Sequence, residues 1–546
     1  MRRVLGGAAL LVVVACVVWA GVLWQWSASG RDPSTADIVL WLVALPLVLV
    51  ALLLASGWAW RGFRASEAAR AEAAAASSAA APASAAAASS TAPSSDAAAR
   101  HGVVRLLGAH VLTAAGSSVR DLLSAAEENA PRPTPDAELR DDDGLPLLSA
   151  RIPDLEPASI EAETAAELAA ARASTPEWQD APVDACVWRA LAALRQPLDE
   201  AVAGLSAWST ALSVAPETAD ARAAAVSLLP LGRAADGAGA PSETAVTGGP
   251  RPVREVRVLV GWPLTWQPFE QALARDVVAS WLAEGAAAAM PGVRFAVEAE
   301  AMGGAALLQH ADRHLQAALR AGRHDPLLIA ACHSTIGAEP VQAMELAGTL
   351  HRAGLRPKGR IPAEAAAVLV VAGPAWPAAD GGDDAAVHLH RPAVLARDKS
   401  IDAPGRVTAA VAGDALAQAL VAARLESRAD EEGALRLVGD ADQHSERAAE
   451  LFGAAGQVLP GLDPSEDVVA FGHVTGAIGA VAALATVAAA AERARADGVP
   501  CMALSVGDPQ VRLALVALPG PPVASDVPGD ASAPASGENA ARPAAH

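Results

Sequence analysis

Long apolar runs and alternating short ones divide this chain before any motif is considered. Residues 4–24 and 38–60 are each about 20 apolar residues long, enough to cross a ~30 Å hydrocarbon layer. Trp19, Trp24, Trp26, Trp41, Trp58 and Trp60 gather toward their ends, as interfacial aromatics do. A secretory signal is a poor fit, because a second full span follows after a short polar turn. The expectation is a transmembrane hairpin over residues 1–64. Arg2 and Arg3 precede it, Arg61, Arg64 and Arg70 follow it, and Arg31 stands alone in the intervening loop. That bias places both ends in the cytoplasm, so the expected location is a bacterial inner membrane with the large C-terminal part inside.

Residues 65–99 are almost entirely alanine and serine with scattered proline, too little apolar area to offset chain entropy, and they read as a linker. From residue 100 to 518 short apolar runs alternate with alanine-rich helical stretches, the pattern of an α/β protein. Strands are expected at "VVRLLGAHVL", "VREVRVLVGW", "DPLLIAAC", "AAAVLVVAG", "GALRLVGD", "EDVVAFGH", "CMALSVG" and "RLALVAL". Helices are expected at "SVRDLLSAAEE", "ACVWRALAALRQPLDEAVAGL", "QALARDVVASWLAEGAAA", "GAALLQHADRHLQAALRAG" and "VTAAVAGDALAQALVAARLES". Residues 519–546, rich in Pro, Gly, Ala and Ser, read as a disordered tail.

Composition narrows the function. The formal charge is −20, there is no tyrosine, and the only lysines are Lys358 and Lys399. Without a concentrated basic surface, nucleic acid is excluded as a general partner. Four widely spaced cysteines, with no CxxC pair, read as reduced thiols rather than a disulfide framework. His388 and His390 have strand-type spacing for two metal ligands, but no further ligand is evident, so neither a metal nor any other cofactor is expected.

Several pieces, in order, carry a resemblance: "LLGAHVLTAAGSSVRDLLSAAEENA", "GGAALLQHADRHLQAALRAGRHDPLLIAACHS", "GRIPAEAAAVLVVAG" with Glu364, "GHVTGAIGAVAAL", and "ALSVGDPQVRLALVAL". Together they resemble the β-ketoacyl synthase branch of the thiolase-like superfamily. The resemblance implies a five-layered αβαβα domain of two similar halves, commonly dimeric. Residues 156–252 match weakly.

That family uses a cysteine thiolate at a helix N-terminus, with two further polar groups that stabilise the enolate. The nucleophile falls, by the resemblance, in "EAMGGAALL", at Met302, Gly303, Gly304 or Ala305, and that window contains no cysteine, serine or threonine. Cys332 sits beside His333, yet neighbours on a strand point to opposite faces and cannot form a dyad. By the resemblance the family's first histidine lies near "VGDADQHSERAAEL", where Asp440 or Asp442 is the strand-end group, His444 follows a few residues later, and Glu450 is a candidate end of the motif. His473 matches the second. It is either an oxyanion donor at a helix N-terminus or a packing residue at a glycine-rich turn. Trp262, Trp266 and Phe269 are either core or a partner-binding anchor.

The resulting expectation is a non-catalytic ketosynthase-like domain acting in interaction or scaffolding with protein partners at the membrane, within an envelope or secretion assembly. The alternative is an acyl-thioester-binding or decarboxylating enzyme that works without the cysteine. A homodimer and an acyl-thioester or acyl-carrier ligand are the partners the resemblance adds.

Overall fold

The computed structural model describes residues 103–520, except 142, 175–177, 179–181, 209–253, 291, 377–385 and 403–407. Both expected membrane spans, the alanine–serine linker and all but the first two residues of the expected tail lie outside the described residues. Among the described residues no helix is long and apolar enough to cross a membrane.

The first half runs through β1 (Val104–Thr113), α1 (Val119–Glu128), a small hairpin of β2 (Thr134–Arg140) and β3 (Pro146–Ser149), and the helices α2 (Pro157–Glu163), α3 (Ala165–Ser174) and α4 (Ala185–Ser206). It continues with β4 (Arg254–Trp262), α5 (Pro268–Ala289), β5 (Val293–Ala301), α6 (Gly304–Arg320), β6 (Leu327–Ser334), α7 (Ala338–Leu346) and β7 (Glu364–Ala372). The second half comprises β8 (Val387–Leu389), β9 (Ala393–Ala396), α8 (Ala410–Ala423), β10 (Arg436–Gly439), α9 (Ser445–Val458), β11 (Val468–Ala470), α10 (Gly472–Thr475), α11 (Ala482–Asp497), β12 (Cys501–Ser505) and β13 (Val511–Pro519).

The strands form one mixed sheet in the order β11-β10-β12-β13-β8-β1-β7-β6-β4-β5, with β9 paired to β13. Its two ends repeat one pattern. In the first half β5, β4 and β6 are parallel, and β7 and then β1 follow antiparallel. In the second half β11, β10 and β12 are parallel, and β13 and then β8 follow antiparallel. The halves meet where β1 pairs antiparallel with β8, Val104 opposite Leu389.

Side-chain alternation turns this sheet into layers. On β6, Leu327, Ile329 and Ala331 join the central core, while Leu328, Ala330 and Cys332 join the core under α4 and α5. On β12, Cys501 and Ala503 face the central core, while Met502 and Leu504 face α8 and α9. The central core is filled by α6 and α11, so the order is helices, half-sheet, helices, half-sheet, helices. With both faces covered, β7 is buried along its whole length, and its sequence is accordingly one continuous apolar run after Glu364. The buried face of α11 is dominated by alanine, which lets both half-sheets approach it closely.

Within the weakly matched interval, the helix expected at "ACVWRALAALRQPLDEAVAGL" is a core helix. Leu191, Leu194, Leu198 and Leu205 of α4 are buried against β1, β6 and β7, so the early part of the weakly matched interval belongs to the fold. Trp262 and Trp266 are core residues too, stacked at 5.4 Å between ring centroids.

Candidate functional site

A cavity of about 610 Å³ opens between the two halves. Its first wall is residues 302–305, the junction of β5 and α6. The second is residues 475–480, and the floor includes His333, Asp440 and Ser505. Residues 302–305 thus stand where α6 begins, facing the cavity.

Local geometry explains what the window can hold. Met302 donates its N–H to the Trp262 carbonyl at 3.1 Å, ending the strand pairing, and Gly303 caps α6 with φ −69° and ψ 155°. At Gly304 a Cβ would lie 2.2 Å from the carbonyl oxygen of Ala480 and 3.1 Å from the Cβ of Ala483. Position 304 thus admits no side chain at all while the halves keep their present spacing. At Gly303 the nearest atom to a Cβ would be Asp508 Oδ2, an ordinary contact at 3.5 Å. Ala305 is buried against the central core.

The stretch around His473 departs from expectation. His473 does not open the long helix. It sits in the short helix α10, which ends at Gly476 with φ +66°, and a second left-handed glycine, Gly479 with φ +49°, delays α11 until Ala482. Two glycines adopting a conformation unfavourable to other residues break the helix that a run of Gly and Ala otherwise suggests. The helix-dipole argument for His473 therefore falls away. The cavity is lined by residues 475–480, and His473 is not among its lining residues. Half-buried, it is held below the usual imidazole range by burial and then by the charge of Arg132.

His444 caps α9, its Nδ1 accepting the Glu446 N–H at 3.2 Å, and lies on a separate depression with Lys358 and Arg360. Burial and Arg447 lower its proton affinity. Asp440 does reach the cavity. Its carboxylate accepts the Ser505 hydroxyl at 2.5 Å and the Val506 and Gly507 N–H groups at 2.6 and 2.9 Å, tying β10 to the turn after β12. Burial raises its pKa despite those bonds. Asp442 also lines the cavity, paired there with Arg447, whereas Glu450 lies outside it and pairs with Arg512 and Arg397. Glu364 is equally structural: buried, it holds Arg189 through bonds of 2.7 and 2.6 Å and accepts the Ile152 N–H.

Cys332 and His333 separate as strand alternation requires. Cys332 is buried in the outer core, where burial pushes its thiol pKa up. His333 points to the opposite face and lines the cavity, its ring within 2.4 to 2.7 Å of where a Cβ on Gly479 would be. Its Nδ1 is shielded from solvent and has no hydrogen-bond partner. Burial and then Arg360 bring its pKa down to about 4. The alternation that dismissed a Cys332–His333 dyad also sends His333 inward; it is the cavity histidine that the sequence reading passed over. His388 is buried in β8 with Nδ1 donating to the Gly520 carbonyl at 2.6 Å, and it lies in no cluster of metal ligands among the described residues.

No family model and no curated relative matches the sequence. Among solved structures the likeness is to ketosynthases. The chain is similar to the ishigamide ketosynthase/chain length factor (15% identity, TM-score 0.42, 77% of this chain and 99% of that one). It is similar also to the ketosynthase from module 6 of the bacillaene synthase of Bacillus subtilis 168 (12% identity, TM-score 0.47, 77% and 72%). A third is AntDE, solved with its acyl-carrier protein AntF (13% identity, TM-score 0.44, 76% and 99%).

Proposed function

We propose that this chain is a ketosynthase-like protein that acts by binding rather than by condensation, tethered to a bacterial inner membrane by its N-terminal hairpin. One observation carries the reading. The helix start that faces the cavity has no nucleophile, and the carbonyl of Ala480 occupies the space a side chain at position 304 would need. An acyl-enzyme cannot form there without a thiolate or hydroxyl to accept the acyl group. The role is interaction or scaffolding with protein partners at the membrane, His473 serving as a packing residue of its turn.

The cavity itself favours a second reading, in which the domain still binds an acyl thioester. Its volume of about 610 Å³ is that of a small-ligand site, and the unpartnered His333 Nδ1 offers a polar contact at its floor. Incubating the full-length chain with radiolabelled acyl- and malonyl-thioesters separates the cases. The binding reading expects no covalent adduct and no carbon dioxide. Turnover lost in His473→Ala would overturn it, and reversible acyl-thioester binding lost in His333→Ala would favour the second reading over a purely structural scaffold.

A further inference from the structure

Away from the cavity, on the outward side of the β5–α6 unit, three side chains converge that no step above uses. His310 and His314 stand one turn apart on α6, and Glu298 reaches them from β5. His310 Nε2 lies 3.1 Å from His314 Nε2 and 3.2 Å from Glu298 Oε1, and His314 Nε2 lies 3.6 Å from Glu298 Oε2. A tetrahedral cation with bonds of ~2.0–2.1 Å holds its ligand atoms roughly 3.3–3.4 Å apart. These closest approaches bracket that spacing, with the two imidazoles meeting different oxygens of Glu298, and one ligand atom from each of the three residues lies within 4.8 Å of the others.

Proton bookkeeping makes the arrangement more than a hydrogen-bonded cluster. Arg257 Nη1 approaches His314 Nδ1 at 2.9 Å, and Arg313 Nη2 approaches His310 Nδ1 at 3.4 Å. A guanidinium only donates, so both Nδ1 atoms accept, and each neutral ring carries its proton on Nε2. Two Nε2–H groups then stand 3.1 Å apart; that of His310 can donate to Glu298 Oε1 at 3.2 Å, whereas that of His314 faces the other nitrogen with Oε2 at 3.6 Å. A divalent cation resolves the conflict by taking both Nε2 lone pairs and the carboxylate, the rings moving their protons to Nδ1. Arg257, which also lies 3.8 Å from Glu298 Oε2, and Arg313 are both exposed, so on binding their guanidinium groups can swing into solvent.

We propose that Glu298, His310 and His314 form a binding site for a borderline divalent transition cation such as Zn²⁺, with water completing its coordination. Two imidazoles and one carboxylate suit such an ion better than the all-oxygen preference of Mg²⁺ or Ca²⁺. The site joins β5, the edge strand of the sheet, to α6. The chain between those elements is Met302 and Gly303, so a bound cation clamps the two arms of the loop that walls the cavity.

Titrating the chelator-treated full-length chain with Co²⁺ tests this directly. The expected result is ligand-field absorption of tetrahedral intensity that saturates at one equivalent and is displaced by Zn²⁺. His310→Ala and Glu298→Gln each weaken binding at least ~10-fold, while Arg257→Gln tightens it by removing a competing cation from His314. Circular dichroism matching the parent chain shows that each variant is folded; should His310→Ala misfold, His314→Gln replaces it. Absence of saturable absorption overturns the site, as does an unchanged spectrum and affinity in the histidine variants, or weaker binding in Arg257→Gln.

Discussion

The α-carbon of Gly304 faces the backbone carbonyl of Ala480 so closely that a Cβ there would sit 2.2 Å from the oxygen. One residue begins the central helix of the first half, and the other precedes the central helix of the second. Their contact sets how near the halves stand. Gly304→Ala should therefore destabilise by overpacking, by about 1–3 kcal/mol or more. Gly303→Cys, next to it, should stay within ~1 kcal/mol, because its Cβ meets only Asp508 Oδ2 at contact distance. Urea unfolding of the two variants checks the difference. Equal stabilities would mean that the halves separate easily and that the closed elbow is no barrier to a nucleophile.

Each half anchors the start of its long antiparallel strand with a buried carboxylate–guanidinium pair, and the charges are interchanged. Glu364 opens β7 and binds Arg189 of α4; Arg512, the second residue of β13, binds Glu450 of α9. Replacing Glu364 leaves Arg189, with about a tenth of its side chain exposed, without its counter-charge. Glu364→Gln should cost about 3–5 kcal/mol. Glu255→Gln, which breaks an exposed pair with Arg294, should change stability by less than ~1 kcal/mol. Thermal unfolding with both variants in parallel provides the comparison.

The legible parts of this fold were the strands buried on both faces. β6, β7, β12 and the later parts of β4 and β13 are apolar runs because helices cover them on each side, and such runs survive in an alanine-rich chain. The edge strand β5, "VRFAVEAEA", interleaves Arg and Glu with small apolar residues and was not anticipated. Its outer face meets solvent, and the pattern there is no stronger than in a loop. The turn after His473 failed for a different reason. Gly and Ala spaced as on a helix say nothing of backbone sign, and only the observed φ at Gly476 and Gly479 separates α10 from α11. Contacts such as Arg189 with Glu364 lie 175 residues apart, beyond any local pattern. For the site, the missing nucleophile was legible as an absence from 302–305. The closure behind it depends on Ala480, which only the packing of the two halves brings there.

Gly479 and His333 are coupled across the cavity floor. Gly479 has φ +49°, and a Cβ on it would come within 2.4 Å of the His333 ring. Gly479→Ala should therefore destabilise through both backbone strain and collision. In a His333→Ala background only the strain remains, about 1–3 kcal/mol. A double-mutant cycle should return a coupling of ~0.5–3 kcal/mol. Strict additivity would show that the imidazole does not press on this turn in solution.

His333 also makes a pH signature. Burial and Arg360 hold its folded pKa near 4, below the 6.5 of an exposed imidazole. Above pH 6.5 the ring is neutral in both states and adds no pH dependence. As pH falls from 6.5 toward 4, the unfolded chain takes up a proton that the folded one refuses, so stability declines. The limiting slope from one such group is about 1.4 kcal/mol per pH unit. Other histidines with lowered pKa values, among them His444 and His473, tilt the whole profile the same way. Comparing the parent chain with His333→Gln isolates the contribution of this one. The variant should gain stability relative to the parent as pH falls through that window and show a constant difference above it. Parallel profiles across the whole range would place the ring in solvent, and with it the polar contact that the cavity floor offers a ligand.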